Sequence, residues 1–195
     1  MYIGKIVNSS SHVDYVCQVY GVGETAQVPR PGDYGFAAFV GIERDEGGTL
    51  VGLIVNTMLL NPEFGNLGPR LSPQEDLAVF SPDYLAEQAT LVAITVIGSL
   101  AEDGSVSQGV PLVAADIDAQ VRQLSAQEVE QFHGGEGRFR LSYLALLLAM
   151  RANPLMPSLL MQLMSDLTAR FPDQARHLAI IRCNLAWRAC VEPAG

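Results

Sequence analysis

Lysine is all but missing: the chain has twelve basic residues, eleven of them arginine, and Lys5 stands alone. That scarcity excludes whole chemistries. A phosphate-binding Walker A loop needs Gly-Lys-Ser/Thr ahead of a helix, whereas Lys5 is followed by Ile6 inside the first strand-like stretch. Kinase chemistry requires a lysine on its third strand, and pyridoxal chemistry requires one for its Schiff base. One lysine five residues from the start suits neither. Metal ligands are sparse as well. Cys17, Cys183 and Cys190 form no pair at ligand spacing, and His12, His133 and His177 lie far apart. A zinc site wants at least two close ligand pairs, so no metal and no cofactor is expected. Cys183 and Cys190, seven residues apart, share one helix face and read as buried packing residues.

Long apolar runs are absent too. The longest, Leu141 to Met150, is interrupted by Ser142 and bracketed by Arg140 and Arg151, well short of the roughly 20 residues a membrane span needs. The opening MYIGKIVNSS lacks a basic stretch followed by an apolar one, and the cysteine count is odd. A cytoplasmic, reduced protein without membrane insertion is therefore expected. Asn8-Ser9-Ser10 fits a glycosylation acceptor but reads as a solvent turn in that setting.

What remains is apolar material: 49% of 195 residues are hydrophobic and only 17% charged, with a formal net charge of -9. An acidic chain disfavours bare nucleic-acid or anionic-membrane binding. The charge is also unevenly placed. Residues 1–100 carry 4 basic and 11 acidic groups (net -7), residues 101–136 carry 1 and 7 (net -6), and residues 137–195 carry 7 and 3 (net +4). A basic end on an acidic molecule can dock on its own middle, on an acidic partner or on nucleic acid.

Residues 1–112 read as strands and turns. Val13, Tyr15, Cys17 and Val19 alternate with polar neighbours, and Tyr34 to Ile42, Leu50 to Thr57 and Thr90 to Gly98 are rich in β-branched and aromatic side chains. Turn formers separate them at Asn8-Ser9-Ser10-Ser11, Pro29-Arg30-Pro31-Gly32-Asp33 and Asp45-Glu46-Gly47-Gly48. Several short strands so spaced predict a small antiparallel β-barrel. The connection from Leu59 to Ala89 carries four prolines and a helix start at Ser81-Pro82-Asp83. From about residue 114 the period turns helical. Asp116 to Leu124 leads into the capping box Ser125-Ala126-Gln127-Glu128, which opens a helix through Phe132. His133-Gly134-Gly135 ends it and leaves a surface histidine. Leu141 to Ala152, Pro157 to Phe171 and Pro172 to about Val191 then form a C-terminal helical bundle. The fold class expected is α+β, with a barrel over 1–112 and helices over 113–195.

Three near-motifs fail on context. Gly21-Val22-Gly23-Glu24-Thr25-Ala26 begins a dinucleotide fingerprint, but Pro29, Pro31 and Gly32 forbid the helix that must follow. His133-Gly134-Gly135 matches an esterase oxyanion loop, yet no Gly-x-Ser-x-Gly elbow accompanies it. Asp103-Gly104-Ser105 is a hairpin turn, not one of a pair of acidic protease loops. Along the last helices, Leu160, Leu163, Met164, Leu167 and Phe171 form one apolar stripe widened by Met156, Leu159 and Met161. Leu178, Ile181 and Leu185 form another, with Ile180, Trp187 and Val191 opposite. One face cannot bury all of it, so the surplus is either sandwiched in the fold or meets another chain.

Ile3-Gly4-Lys5-Ile6-Val7, the alternating second strand, Pro31-Gly32-Asp33-Tyr34-Gly35, Val51-Gly52-Leu53-Ile54-Val55 and the strand Ala93 to Gly98 together resemble the HAS barrel. This is the small β-barrel of HerA-type ATPases and of the N-terminal part of ATP-synthase catalytic subunits. The likeness covers the first half of the chain. The residues after the barrel-like half read as helical and hold no lysine for a Walker A loop, so the family's ATPase activity is not expected to carry over, and no catalytic residue transfers. The likeness implies packing beside neighbouring barrels, or docking a partner such as a P-loop ATPase or a nuclease. The function expected is therefore a non-catalytic assembly or adaptor protein working through protein contacts or self-association, with no catalytic, cofactor or metal residues assigned. One alternative is a small-molecule hydrolase or ligand-binding enzyme using the 59–89 loop over the barrel mouth, with Glu63, Glu75 or Asp76 as acid or base. The other is a nucleic-acid accessory protein using Arg138, Arg140, Arg151, Arg170, Arg176, Arg182 and Arg188.

Overall fold

The computed structural model describes residues 1–45, 47–61, 89–134, 137–150 and 153–191, the side chains of 188–191 excepted. Seven strands occur among them: β1 (Tyr2–Ser9), β2 (Asp14–Val19), β3 (Phe39–Glu43), β4 (Thr49–Leu60), β5 (Ala89–Leu100), β6 (Val106–Gln108) and β7 (Gln120–Gln123). Their order is β2-β1-β7-β3-β4-β5-β6, and a further β2–β5 pairing closes the first six into an antiparallel barrel. β2 meets β5 over residues 91–95 and β6 meets it over 98–100, so the two share one edge of that long strand. Closure removes the open edges that would otherwise template pairing with another chain. Pro31–Tyr34 forms a short 3-10 turn between β2 and β3.

Four helices occur among the described residues: α1 (Ala126–Gly134), α2 (Leu144–Ala149), α3 (Met156–Arg170) and α4 (Ala175–Val191). The wall formed by β3, β4 and β5 is apolar on both faces, which is why Leu50-Val51-Gly52-Leu53-Ile54-Val55 reads as a continuous run. Val40, Ile42, Leu50, Ile54, Ile94 and Val96 point inward and fill the barrel with Ile3, Ile6, Tyr15 and Val121. Phe39, Val51, Leu53, Val55 and Ile97 point outward into a second core completed by Val129 and Phe132 of α1, Leu147 of α2, Leu163 and Leu167 of α3 and Leu178 of α4. The helices thus share one core with the barrel wall. The α3 stripe predicted from its spacing is core: Leu160, Leu163, Met164 and Leu167 are buried, with Met156 and Leu159 beside them.

β7 is a correction. Residues 116–124 were expected to be helical, but Gln120–Gln123 pairs with both β1 and β3 and is the strand that joins them. It lies beyond the end expected for the barrel at residue 112. Its one inward side chain, Val121, is fully buried between polar neighbours, an alternation too short to stand out in sequence. In β1, Ile3 and Ile6 both face the interior although they are three apart, because the pairing with β7 slips between Tyr2 and Gly4.

Two glycines of the barrel motifs have steric reasons. A Cβ on Gly4 would fall on the Gln18 carbonyl of β2, and one on Gly52 would lie 2.5 Å from Ile94 Cγ2 across the pair. Both are places where a neighbour occupies the space a side chain would need.

Candidate functional site

Among the described residues Thr95 and His133 are fully buried polar side chains, and of the two His133 is the titratable one. It was expected at the surface and is instead fully buried. Its Nδ1 lies 2.7 Å from the Val129 carbonyl and its Nε2 lies 2.8 Å from Tyr143 Oη. A carbonyl only accepts, so Nδ1 carries the proton and Nε2 accepts from the tyrosine hydroxyl. Phe39, Phe132, Phe139, Phe171 and Tyr143 surround the ring at centroid distances of 5.2 to 6.0 Å. Burial, with the nearby Arg170 charge, lowers the imidazole to about 4 against the opposing pull of the Val129 carbonyl. Burial also pushes the Tyr143 hydroxyl up. Both groups are neutral at pH 7 and satisfied by each other. This is a bridge between α1 and the start of α2, with no open face towards a substrate.

A second polar network ties the barrel to α1. Arg122 of β7 donates from both terminal nitrogens to Glu128, at 2.9 and 2.6 Å, and from Nε to Glu43 of β3 at 3.2 Å. Tyr2 Oη donates to Glu43 at 3.0 Å. The predicted capping box forms: Glu128 accepts from the Ser125 amide at 2.8 Å, and Ser125 Oγ accepts from the Glu128 amide at 3.2 Å. The Arg122 fork and these bonds hold the Glu128 carboxyl at about 2. Beside it runs a groove of about 420 Å³ lined by Glu43, Arg44, Thr49, Glu102, Glu128 and Gln131 among others. Two of its three carboxylates are already bound by Arg122. Among the described residues no group of three or more histidine, cysteine, aspartate or glutamate side chains is placed to hold a metal ion.

The remaining candidates fall as follows. Glu63, Glu75 and Asp76 lie outside the described residues, as does the helix start at Ser81, so the loop-based alternative has no described geometry. Of the seven arginines, Arg151 and the Arg188 side chain lie outside as well. Arg138, Arg170, Arg176 and Arg182 are exposed, and Arg140 is half-buried. Cys17 fills the barrel, where burial pushes its thiol up to about 12. Cys183 is exposed, which corrects the packing role expected for it; Cys190 lies outside the described side chains. Gly21–Ala26 is a turn closed by the Glu24 carboxylate on the Gly21 amide at 2.6 Å. Asp103-Gly104-Ser105 is the turn between β5 and β6, with Gly104 at φ +83°.

What sequence reasoning missed is the segment between β6 and β7. Residues 109–119 cross one end of the barrel and are pinned along their length. The Pro111 carbonyl lies 2.8 Å from His12 Nε2, and the Ala115 amide donates to Tyr15 Oη at 3.0 Å. The Asp118 amide donates to the Ile6 carbonyl, the Ile6 amide donates to the Ala119 carbonyl, both at 2.9 Å, and Lys5 Nζ lies 3.1 Å from Asp118. Ala114, Ala115 and Ala119 pack inward on the barrel core. Val110, Leu112, Val113 and Ile117 are left outside, Leu112 at 99% exposure and Ile117 at 67%. The signal in sequence was the run of aliphatics in Val110-Pro111-Leu112-Val113 between two turns, with small alanines after it.

A closed antiparallel barrel with a layer of helices on its wall defines an α+β barrel protein. No helix among the described residues is long and apolar enough to cross a membrane. The chain belongs to the family DUF8166, described as a domain of unknown function, whose model matches residues 1–194. No curated protein matches the sequence.

Proposed function

We propose that the protein is a non-catalytic assembly or adaptor protein, whose barrel is of the HAS type and whose pinned segment 109–119 is a docking strap for a protein partner. The observation that carries this reading is the contrast within the strap: its backbone is fixed by hydrogen bonds while its large aliphatic side chains stand in solvent. An exposed apolar patch on an ordered frame marks a contact site, and a frame already ordered avoids the entropy cost of fixing a loop on binding. Support for the barrel type comes from the position of its glycines, Gly4 and Gly52, at close strand approaches within the Ile-Gly and Val-Gly motifs. The partner surface that fits is apolar with a basic group at its rim, since the exposed Asp116 stands beside Ile117 while Asp118 is paired with Lys5. A P-loop ATPase or a nuclease is the class of partner the barrel resemblance implies. Affinity capture of the full chain from native lysate, beside the variant Leu112→Asp/Ile117→Asp, tests it. A partner retained by the native chain and lost with the variant is expected. Equal retention by both overturns the strap as the docking surface.

A further inference from the structure

A second open surface lies on α4. The inward face of this helix is Leu178, fully buried, with Ile181 and Leu185 half-buried against the shared core. At about 100° per residue, Arg176, Ile180, Cys183 and Trp187 recur at spacings of four, three and four residues and fall within roughly 60° of one another, nearly opposite Leu178. All four are exposed, Ile180 at 61% and Trp187 at 63%. Arg176 makes no ion pair among the described residues, and the stripe itself contains no carboxylate to neutralise it.

The order of side chains along the stripe is what identifies its occupant. We infer that this face pairs with the same face of a second copy of the chain, the two α4 helices running antiparallel about a two-fold axis between Ile181 and Arg182. In that register Arg176 lies opposite Trp187 of the partner subunit, and Ile180 lies opposite Cys183 of the partner subunit. Both pairs are centred on the same midpoint, so one rotation satisfies all four positions twice. A guanidinium over an indole face is an attractive pairing. A parallel alignment would instead set Arg176 against its own copy. Two-fold pairing is also the commonest closed assembly, and it needs only a patch complementary to itself. Cys183 at the centre, with Ala179 beside it, lets the helix axes approach to about 8 Å. Arg182 stands about 40° from Leu178 on the flank, off the contact arc, so its charge does not sit across the axis from its copy. This deepens the interaction reading by naming the occupant of the helical face, and rests on that reading.

The stripe is about 16 Å long. Sedimentation of the full chain at tens of micromolar is expected to give twice the chain mass of 21.0 kDa. Trp187→Ala and Arg176→Glu are each expected to weaken the dimer about tenfold or more while circular dichroism stays unchanged, because neither side chain touches the core. Arg176→Glu combined with Trp187→Arg places opposite charges across the proposed register and is expected to restore the dimer. Ile180→Cys is expected to form a disulfide-linked dimer with the native Cys183 on mild oxidation. A monomeric native chain, or a dimer that none of these substitutions alters, overturns the inference. A monomer whose α4 face holds a different protein also overturns it, while leaving the adaptor reading standing.

Discussion

His133 shows how far one side chain's role depends on residues distant in sequence. The two glycines that follow it predict the polar end of a helix, yet Val129, Phe132 and His133 share one face of α1, and that face turns inward. The ring is enclosed by Phe39 from the barrel and by Phe139, Tyr143 and Phe171 from two later segments; no local pattern announces that convergence. Its consequence is a pH dependence. The folded value near 4 lies below the ordinary 6.5, so the unfolded chain binds the extra proton between those values. Stability from this group is complete above pH 6.5 and falls as pH drops towards 4, by about 3 kcal/mol on the linkage relation. Urea unfolding of the native chain should show that slope, and His133→Phe should flatten it; an equal slope in the variant would assign the dependence elsewhere. Glu128 acts lower. Its carboxyl, held near 2 against an ordinary 4.5, contributes stability above pH 4.5 that is lost towards pH 2. Solvent screening keeps this to about 1 kcal/mol.

The elements differ in how openly the sequence declares them. β2, β4 and β5 were legible because alternation, or an unbroken apolar run, is set off by Pro, Gly and Asn turns. The capping box at Ser125 was legible because its two partners are three residues apart. β7 was not: a strand of four residues with a single inward valine looks the same on a helical period, and only the unpaired flanks of β1 and β3 give it a place. The strap that precedes it was not legible either, since its order comes from His12, Tyr15 and Ile6, about a hundred residues earlier. The packing of β4 on β5 makes its own prediction. Gly52→Ala would set a methyl carbon 2.5 Å from Ile94 Cγ2 inside the filled barrel, and overpacking of this kind costs about 1 to 3 kcal/mol. Denaturant melting should show that loss with an unchanged slope; an unaffected midpoint would mean the interior has slack at that position.

At the scale of the whole molecule, the His133–Tyr143 bond ties two helices together and the Arg122–Glu128 pair ties the barrel to α1, while two exposed apolar surfaces among the described residues stand out as contact candidates. One is the strap across the barrel end, and the other is the outward stripe of α4. A chain that pairs with its own copy through one and grips a partner through the other would assemble two partners about a two-fold axis, which is what an adaptor does. Hydrogen exchange tests the central claim most directly, comparing the free protein with the complex captured from native lysate. The account predicts that amides in residues 109–118 gain protection in the complex while those lining the Glu43–Glu128 groove stay as they are. Unchanged exchange in 109–118, or protection confined to the groove, would contradict it.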